Sequence, residues 1–201
     1  MPIEDTVGAI ADMVKAGYVR HDSLSEVGAE TIRRAAQVHS ICDLQIEYAL
    51  VSRNAETSII PALRELGIGM TAYGVLSRGL LTGAKVSGEN DIRAHMPCFS
   101  AGNAEKNEPL VNALARIASE KGVSSAQLAI AWVRAEGAAQ NVTIIPTIGA
   151  HTRKQLADAI SSLDVSLDAS EIIALETAVP ASKVAGTRYA VAQMATLDSE
   201  R

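Results

Sequence analysis

Aromatic side chains are scarce in this sequence, which holds one Trp, one Phe and four Tyr among 201 residues, or 3%. Hydrophobic residues nevertheless make up 48% of the chain, so a sizeable core is available. That core must be aliphatic, built from Ala, Leu, Ile and Val. The length predicts a single domain.

Long apolar runs and cysteine-rich patterns are also missing. No run approaches the roughly 20 apolar residues that cross a bilayer, and the acidic start, MPIED, lacks the apolar core of a signal peptide. Cys42 and Cys98 stand alone and fit neither a disulfide framework nor a metal-ligand spacing. These absences predict two reduced thiols, a cytoplasmic location and no membrane partner.

Basic residues form no stripe, and the net charge is −5, which argues against nucleic acid as a partner. Ser25, Ser77 and Ser100 each lack a nearby histidine and a G-x-S-x-G elbow, so a serine hydrolase is not indicated. The histidines are scattered, without the spacing of a metal site. They are His21, His39, His95 and His151. The sequence therefore predicts no bound metal.

Helical and strand-like patterns alternate along the chain. Helical spacing of apolar residues predicts helices at 4–17, 29–39, 55–66, 108–121, 125–136, 152–163 and 169–178. Short apolar runs predict strands at 19–24, 42–49, 67–70 and 142–145. Alternation of this kind implies parallel strands with right-handed crossovers. A (β/α)₈ barrel needs roughly 250 residues, so we predict the α/β class and a partial (β/α)₈ TIM barrel of about four parallel strands with flanking helices.

The second predicted strand has two distinct sides. Leu44, Ile46 and Tyr48 lie on one side, while Gln45 and Glu47 lie on the other. This character is typical of a barrel strand whose polar side faces a lumen. We expect one partial-barrel domain over 1–201. Within it, 84–105 forms an excursion loop and 179–201 a C-terminal tail.

The third strand leads into a glycine-bearing stretch, TAYGVLSRGLLTG at 71–83, with one aromatic ring at Tyr73 and one cation at Arg78. Such a loop can cradle the phosphates of a nucleotide. The same residues also fit a plain turn, with Tyr73 packed in a core and Arg78 solvated. The pattern alone leaves both readings open.

Several stretches, in order, resemble the second half of the aldo-keto reductase family. They are PIEDTVGA (2–9), VKAGYVR (14–20), LSEV (24–27), LQIEY (44–48), ELGIGMTAYGVLSRGLLTG (65–83), SAQLAIAWV (125–133), IPTIGA (145–150), GTRY (186–189) and QMATLD (193–198). The resemblance covers nearly the whole chain. It implies a (β/α)₈ barrel that moves hydride between NADPH and an aldehyde or ketone.

The resemblance also implies an absence. The family's catalytic Tyr, Lys, Asp and His follow the second to fourth barrel strands, and the match begins just beyond the fourth. None of the four has a position in this sequence, so the catalytic residues are unknown. Carbonyl reduction needs a proton donor, and a chain active alone would recruit a new acid such as Tyr48, Tyr73 or His21.

The resemblance also implies cofactor-binding roles for individual residues of this sequence. Ser25 and Gln45 match the residues that hold the nicotinamide carboxamide, and Tyr73 matches the ring that stacks on the nicotinamide. The pyrophosphate loop is matched by Gly74, Leu76 and Arg78. The adenosine 2′-phosphate site and its surroundings are matched by Gly149, Ala150, Arg153 and Asp158.

The match has departures that imply weakened NADP binding. Glu26 stands where Asn is common. Gln155 replaces the Arg that usually grips the 2′-phosphate, so Arg153 or Lys154 would substitute. Ala159 replaces the Asn that meets adenine.

Half a barrel leaves two strand edges and one sheet face uncovered, and open edges invite pairing with another chain. We therefore expect a homodimer or higher oligomer, formed by strand exchange at 18–24 or 142–146. Three functions stay open: a truncated NADP(H)-dependent oxidoreductase with a small carbonyl substrate, a non-catalytic self-associating half-barrel module, or a different activity at an oligomer interface. Glu26 and Glu47 are the candidate carboxylates for the third.

Overall fold

Four parallel strands form one sheet in chain order, β1-β2-β3-β4. The strands are β1 (Asp22–Ser25), β2 (Ile41–Glu47), β3 (Gly69–Tyr73) and β4 (Ile144–Pro146). This computed structural model describes residues 1–88 and 90–201. Position 89, in the predicted excursion loop, lies outside the described residues. The predicted class, a partial barrel with about four parallel strands, is confirmed.

Eight α-helices occupy the described residues. They are α1 (Ile3–Lys15), α2 (Ala29–Val38), α3 (Ala55–Leu66), α4 (Asn103–Glu120), α5 (Ser125–Ala139), α6 (Arg153–Ser161), α7 (Ala169–Ala178) and α8 (Val191–Met194). Short 3₁₀ segments connect them at Ser77–Thr82, Ile92–His95, Pro97–Phe99, Ser162–Asp164, Ala181–Lys183 and Asp198–Glu200. None of the described helices is long and apolar enough to cross a membrane.

The sheet has two chemically different faces. On one face, Leu24, Leu44, Met70 and Ile144 are register partners across all four strands, and all four are buried. The helices cover this face and form an aliphatic core with it, in which Trp132 is fully buried. The predicted aliphatic core is therefore present.

The other face carries polar residues and is largely open. Ser25, Gln45, Thr71 and Ile145 are register partners along one row. Ser25 and Gln45 are exposed, and even Ile145 is 61% exposed. A closed barrel directs this face into its lumen, so the open face agrees with a sheet that forms part of a barrel.

Several helices begin where the sequence provides a capping box. Ser124 accepts from the Gln127 backbone N–H at the start of α5, and the Gln127 side chain accepts from the Ser124 N–H in return. Thr152 and Gln155 form the same reciprocal pair at α6. Each pair satisfies backbone donors that have no partner within the helix. At the other end, α3 stops at Gly67, whose positive φ of 67° suits glycine.

Several element boundaries differ from the predicted ones, among them those of β3, α4 and β1. The strand β3 continues to Tyr73, because Thr71 and Tyr73 still pair with β2. The helix α4 begins at Asn103 rather than near 108, since the Glu105 carboxylate accepts from the Gly102 N–H ahead of it. The strand β1 starts only at Asp22.

The final segment, residues 181–201, folds back over the domain as a strap. Asn107 on α4, which is 1% exposed, holds its first part by bonding both the N–H and the C=O of Ala185. Asp198 holds its last part by accepting from the Gly28 N–H and the Thr31 hydroxyl at the start of α2. Between these anchors the strap contacts residues at the carboxyl ends of β1, β2 and β3.

Candidate functional site

The candidate site lies at the carboxyl edge of the parallel sheet, where open α/β sheets commonly bind ligands. Ser25 ends β1 and is the register partner of Gln45 on β2. Both side chains are exposed on the open face. The two residues predicted to hold a carboxamide are therefore neighbours on adjacent strands.

Tyr73 ends β3 and points its hydroxyl into a polar cluster. The hydroxyl donates to Glu26 Oε1 at 2.8 Å, accepts from Arg188 Nη1 at 3.1 Å and lies 3.2 Å from the Tyr189 hydroxyl. Burial raises the pKa of Tyr73, and the bonds to Tyr189 and Glu26 raise it further. At neutral pH Tyr73 is a poor proton donor to substrate, which weakens its candidacy as a replacement acid.

Glu26 is the acceptor at the centre of this cluster. Its carboxylate accepts from Tyr73, Ser199, Arg188 and the backbone N–H of Glu47. Its backbone is in the left-handed region, with φ of 54°. Burial alone would raise the pKa of Glu26, but the four donors outweigh burial and lower the pKa from 4.5 to about 2. Glu26 is therefore an ionised anchor at neutral pH.

Arg188 joins three carboxylates and is only 8% exposed at its side chain. Its nitrogens lie 2.7 Å from Glu26, 2.8 Å from Glu200 and 3.7 Å from Glu47. The structure thus brings Glu26 and Glu47 together, but as partners of a shared guanidinium. This argues against their use as an acid–base pair at an interface.

The turn after β3 is strained and presents Arg78. Ser77, Arg78 and Gly79 have successive positive φ values of 47°, 56° and 93°. For residues other than glycine this conformation is costly and often marks a functional site. Arg78 Nη2 lies 3.0 Å from Glu47 Oε2, and the Tyr189 ring covers the guanidinium at 4.8 Å.

The other residues of the predicted pyrophosphate loop surround this turn. Leu76 is half-buried. Gly74 has φ of 65°, and a Cβ there would lie 3.0 Å from the Glu47 side chain, so the position favours glycine. Ser77 is 6% exposed, and its hydroxyl has no hydrogen-bond partner among the described residues.

A cavity of about 430 Å³ opens beside this turn, beneath the strap. Arg53, Arg78 and Arg188 line it together with Glu47 and the unpartnered hydroxyl of Ser77. Arg53 is itself paired with Glu56 and Glu176. A buried, unpartnered hydroxyl beside guanidinium groups provides donors for an anionic or polar ligand.

The predicted 2′-phosphate site lies between β4 and α6, next to the predicted pyrophosphate loop. The Thr147 N–H donates to the Ala72 carbonyl of β3 at 2.7 Å, which ties the two loops together. Gly149, Ala150 and Arg153 are exposed there, at the N-terminus of α6. No hydrogen bond or ion pair of the Arg153 side chain is found among the described residues.

Two residues near this corner have structural roles. Gln155, in the place of the usual Arg, accepts from the N–H groups of His151 and Thr152 and so caps α6. Asp158 accepts from the Ser124 hydroxyl at 2.9 Å, which links α6 to the start of α5. Asp158 is thus turned toward the protein, apart from the exposed corner.

The remaining candidate acids lie away from the open face. Tyr48 is fully buried, packs on Trp132 at 5.3 Å between ring centroids and donates to Glu56 at 2.7 Å. Burial raises the pKa of Tyr48, and the nearby Glu56 raises it further. His21 is exposed just before β1. No group of three or more His, Cys, Asp or Glu suited to a metal occurs in the part of the chain that the structure describes.

The strap residues were the main omission of the sequence interpretation. Arg188, Tyr189 and Ser199 all contact Glu26 or Tyr73, although the last twenty residues have no periodic pattern. The sequence feature that could have indicated the strap is GTRY at 186–189, which contributes only to the family resemblance. Its role depends on contacts with residues more than 100 positions earlier.

The fold is part of a parallel (β/α) barrel with a polar, open sheet face. The model of the aldo/keto reductase family matches residues 1–179. The chain is also 37% identical over 193 residues to a probable aldo-keto reductase 1 of soybean, Glycine max, covering 94% of this chain and 54% of the relative. The chain belongs to the aldo-keto reductase family.

A solved structure agrees with this fold. A glycerol dehydrogenase of Gluconobacter oxydans superimposes with a TM-score of 0.79 at 24% identity, covering 89% of this chain and 54% of that chain. At this identity the likeness concerns the fold alone. The chain spans about half the length of both relatives.

Proposed function

We propose that this chain is the cofactor-binding half of an NADP(H)-dependent oxidoreductase acting on aldehydes and ketones. NADPH supplies a hydride to a carbonyl carbon when it is bound. Membership of the aldo-keto reductase family supports the reaction class. The residues that the resemblance matches in this chain are those of a cofactor site, so the proposal assigns this chain binding rather than proton transfer. A cytoplasmic location is part of the proposal, supported by the free thiols of Cys42 and Cys98.

One observation carries the proposal: the residues matched to the nicotinamide and the 2′-phosphate sites lie along one edge of the sheet. Ser25, Gln45 and Tyr73 end or nearly end three adjacent strands. Arg153 and the N-terminus of α6 follow the fourth. A helix N-terminus beside a free cation favours a phosphate, and the polar row offers donors and acceptors for a carboxamide. The residues therefore fit a dinucleotide with a phosphate at one end.

Calorimetric titration with NADPH and with NADH tests the binding. We expect NADPH to bind more tightly, because only NADPH carries the 2′-phosphate. Arg153→Met should remove most of that preference while leaving NADH binding unchanged. Arg116→Met is the matched control, since Arg116 pairs only with exposed Glu120 on α4. No NADPH binding at millimolar concentration, or equal binding of both cofactors, would overturn the proposal.

NADPH oxidation with 4-nitrobenzaldehyde tests turnover by this chain. The proposal predicts binding with no turnover above the uncatalysed rate. If the wild type does turn over and Tyr73→Phe lowers the rate, Tyr73 acts as the proton donor in this chain.

A second proposal follows from the open sheet. The strands β1 and β4 are the sheet edges, and the polar face carries the 61% exposed Ile145. We propose that two copies associate through this face and these edges, since two four-stranded sheets supply the eight strands of a barrel. Ile145→Lys should then weaken association, whereas Ile173→Lys on α7, also exposed, should not. Light scattering that shows a monomer at all concentrations would reject this association.

A further inference from the structure

The strap holds the two groups that the cofactor would need. Tyr73, the predicted nicotinamide-stacking ring, shares its hydroxyl with Arg188 and Tyr189 of the strap. Arg78, the predicted pyrophosphate ligand, lies beneath the Tyr189 ring and against Glu47. In this conformation the Arg78 guanidinium is covered and paired, and the Tyr73 hydroxyl is held by the strap.

The strap is attached by charge at its centre. Arg188 contacts Glu26, Glu47 and Glu200 together. Ser199 adds a hydrogen bond to Glu26 from the far end of the strap. Without Arg188, the carboxylates of Glu26, Glu47 and Glu200 would lose their shared cation, and their repulsion would favour release of Glu200.

The strap is nevertheless built to move as a unit. Its first anchor, Asn107 at Ala185, precedes Arg188 and does not involve the cofactor residues. A hinge near Gly186, which has φ of 85° and packs against the Pro97 backbone, lies between that anchor and Arg188. Opening residues 187–201 therefore breaks the central ion pairs and the second anchor, where Asp198 accepts from the Gly28 N–H and the Thr31 hydroxyl, while the segment before Gly186 stays attached.

We propose that the strap is an autoinhibitory latch that must release Tyr73 and Arg78 before a dinucleotide binds at the carboxyl edge of the sheet. This inference rests on the proposed cofactor function. The latch competes with the ligand for the same two side chains, so it lowers the apparent affinity by the fraction of molecules that are open. Arg78 would hold the pyrophosphate, an anion, once it is released from Glu47 and from beneath the Tyr189 ring of the strap.

The test is NADPH affinity in latch variants of the full chain. Arg188→Ala should bind NADPH about tenfold more tightly than the wild type, because the open fraction rises. Arg188→Lys keeps the charge but loses the bidentate geometry. Its NADPH affinity should lie between those of the wild type and Arg188→Ala. Tyr189→Ala uncovers Arg78 and should also tighten NADPH binding. It tests the latch if Arg188→Ala does not fold. Arg116→Ala is the matched control and should leave affinity unchanged.

Hydrogen exchange of residues 187–201 gives an independent readout. It should accelerate in Arg188→Ala without cofactor, and in the wild type on saturation with NADPH. Suppose that hydrogen exchange shows an open strap in Arg188→Ala and Tyr189→Ala, but neither binds NADPH more tightly than the wild type. That result would overturn the latch while leaving the cofactor proposal intact. Binding only by the variants would support both proposals. No binding by any form would reject both.

Discussion

The guanidinium of Arg188 lies 2.7 Å from the carboxylate of Glu26, although the two residues are 162 positions apart in the chain. This pair connects the last segment of the chain to the end of the first strand. It also brings the C-terminal segment to the carboxyl edge of the sheet, where β1 ends. Several measurable consequences depend on it.

The first prediction concerns pH. Because the pKa of Glu26 is lowered from 4.5 to about 2, its ion pair stabilises the fold above pH 4.5 and loses that contribution as pH falls toward 2. Between pH 6 and pH 3 we expect the wild type to lose about 1–2 kcal/mol more unfolding free energy than Glu26→Gln. Urea denaturation at both pH values measures this. The same loss in both proteins would contradict the assignment, and Glu120→Gln, at an exposed pair, is the control.

The second prediction concerns the strap's first anchor. Asn107→Ala removes the donors and acceptor that bind Ala185 and the Cys98 carbonyl. Since these backbone groups would be left without partners in a buried position, the free energy of unfolding should fall by about 2–3 kcal/mol. Asn112→Ala, at an exposed position on the same helix, should change it by less than about 0.5 kcal/mol. A similar small effect in both variants would show that the anchor is unimportant.

The third prediction uses a pair of glycines. A Cβ on Gly28 would lie 2.8 Å from the Asp198 carbonyl oxygen, so Gly28→Ala should displace the end of the strap and cost about 1–3 kcal/mol. A Cβ on Gly8, within α1, meets nothing within 4 Å. Gly8→Ala should therefore stabilise the protein by about 0.5–1 kcal/mol. Thermal unfolding of both variants provides the comparison, and stabilisation by Gly28→Ala would refute the close strap contact.

The fourth prediction separates a structural tyrosine from a catalytic one. Tyr48→Phe keeps the ring on Trp132 and removes the hydrogen bond to Glu56. We expect about 1–2 kcal/mol less stability and unchanged NADPH affinity. Denaturation and cofactor titration of the same preparation measure both. Loss of binding without loss of stability would place Tyr48 in the site.

The sequence predicted the sheet well because its signals are local. The alternation in β2 placed Leu44, Ile46 and Tyr48 in the core, and all three are buried. Gln45 is on the open face, as expected from the same pattern. The predicted start of α4 was wrong because the apolar spacing begins only at Leu110, whereas the helix begins at Asn103 with a polar first turn.

The site was less predictable because its contacts are long-range. Glu47 lies on the polar side of the predicted β2 alternation. It is nevertheless only 5% exposed, because Arg78 and Arg188 contact it. The strap has no helical or strand periodicity, since it is held by separate polar contacts rather than by an apolar face. No local pattern indicates that Arg188 pairs with Glu26.

Hydrogen exchange of the full chain with and without saturating NADPH tests the central claim most directly, because it locates the cofactor along the chain. Binding at the carboxyl edge predicts slower exchange at residues 73–79 and 149–155, together with faster exchange at 187–201. Protection confined to the outer helices, or no change in either loop, would contradict the account.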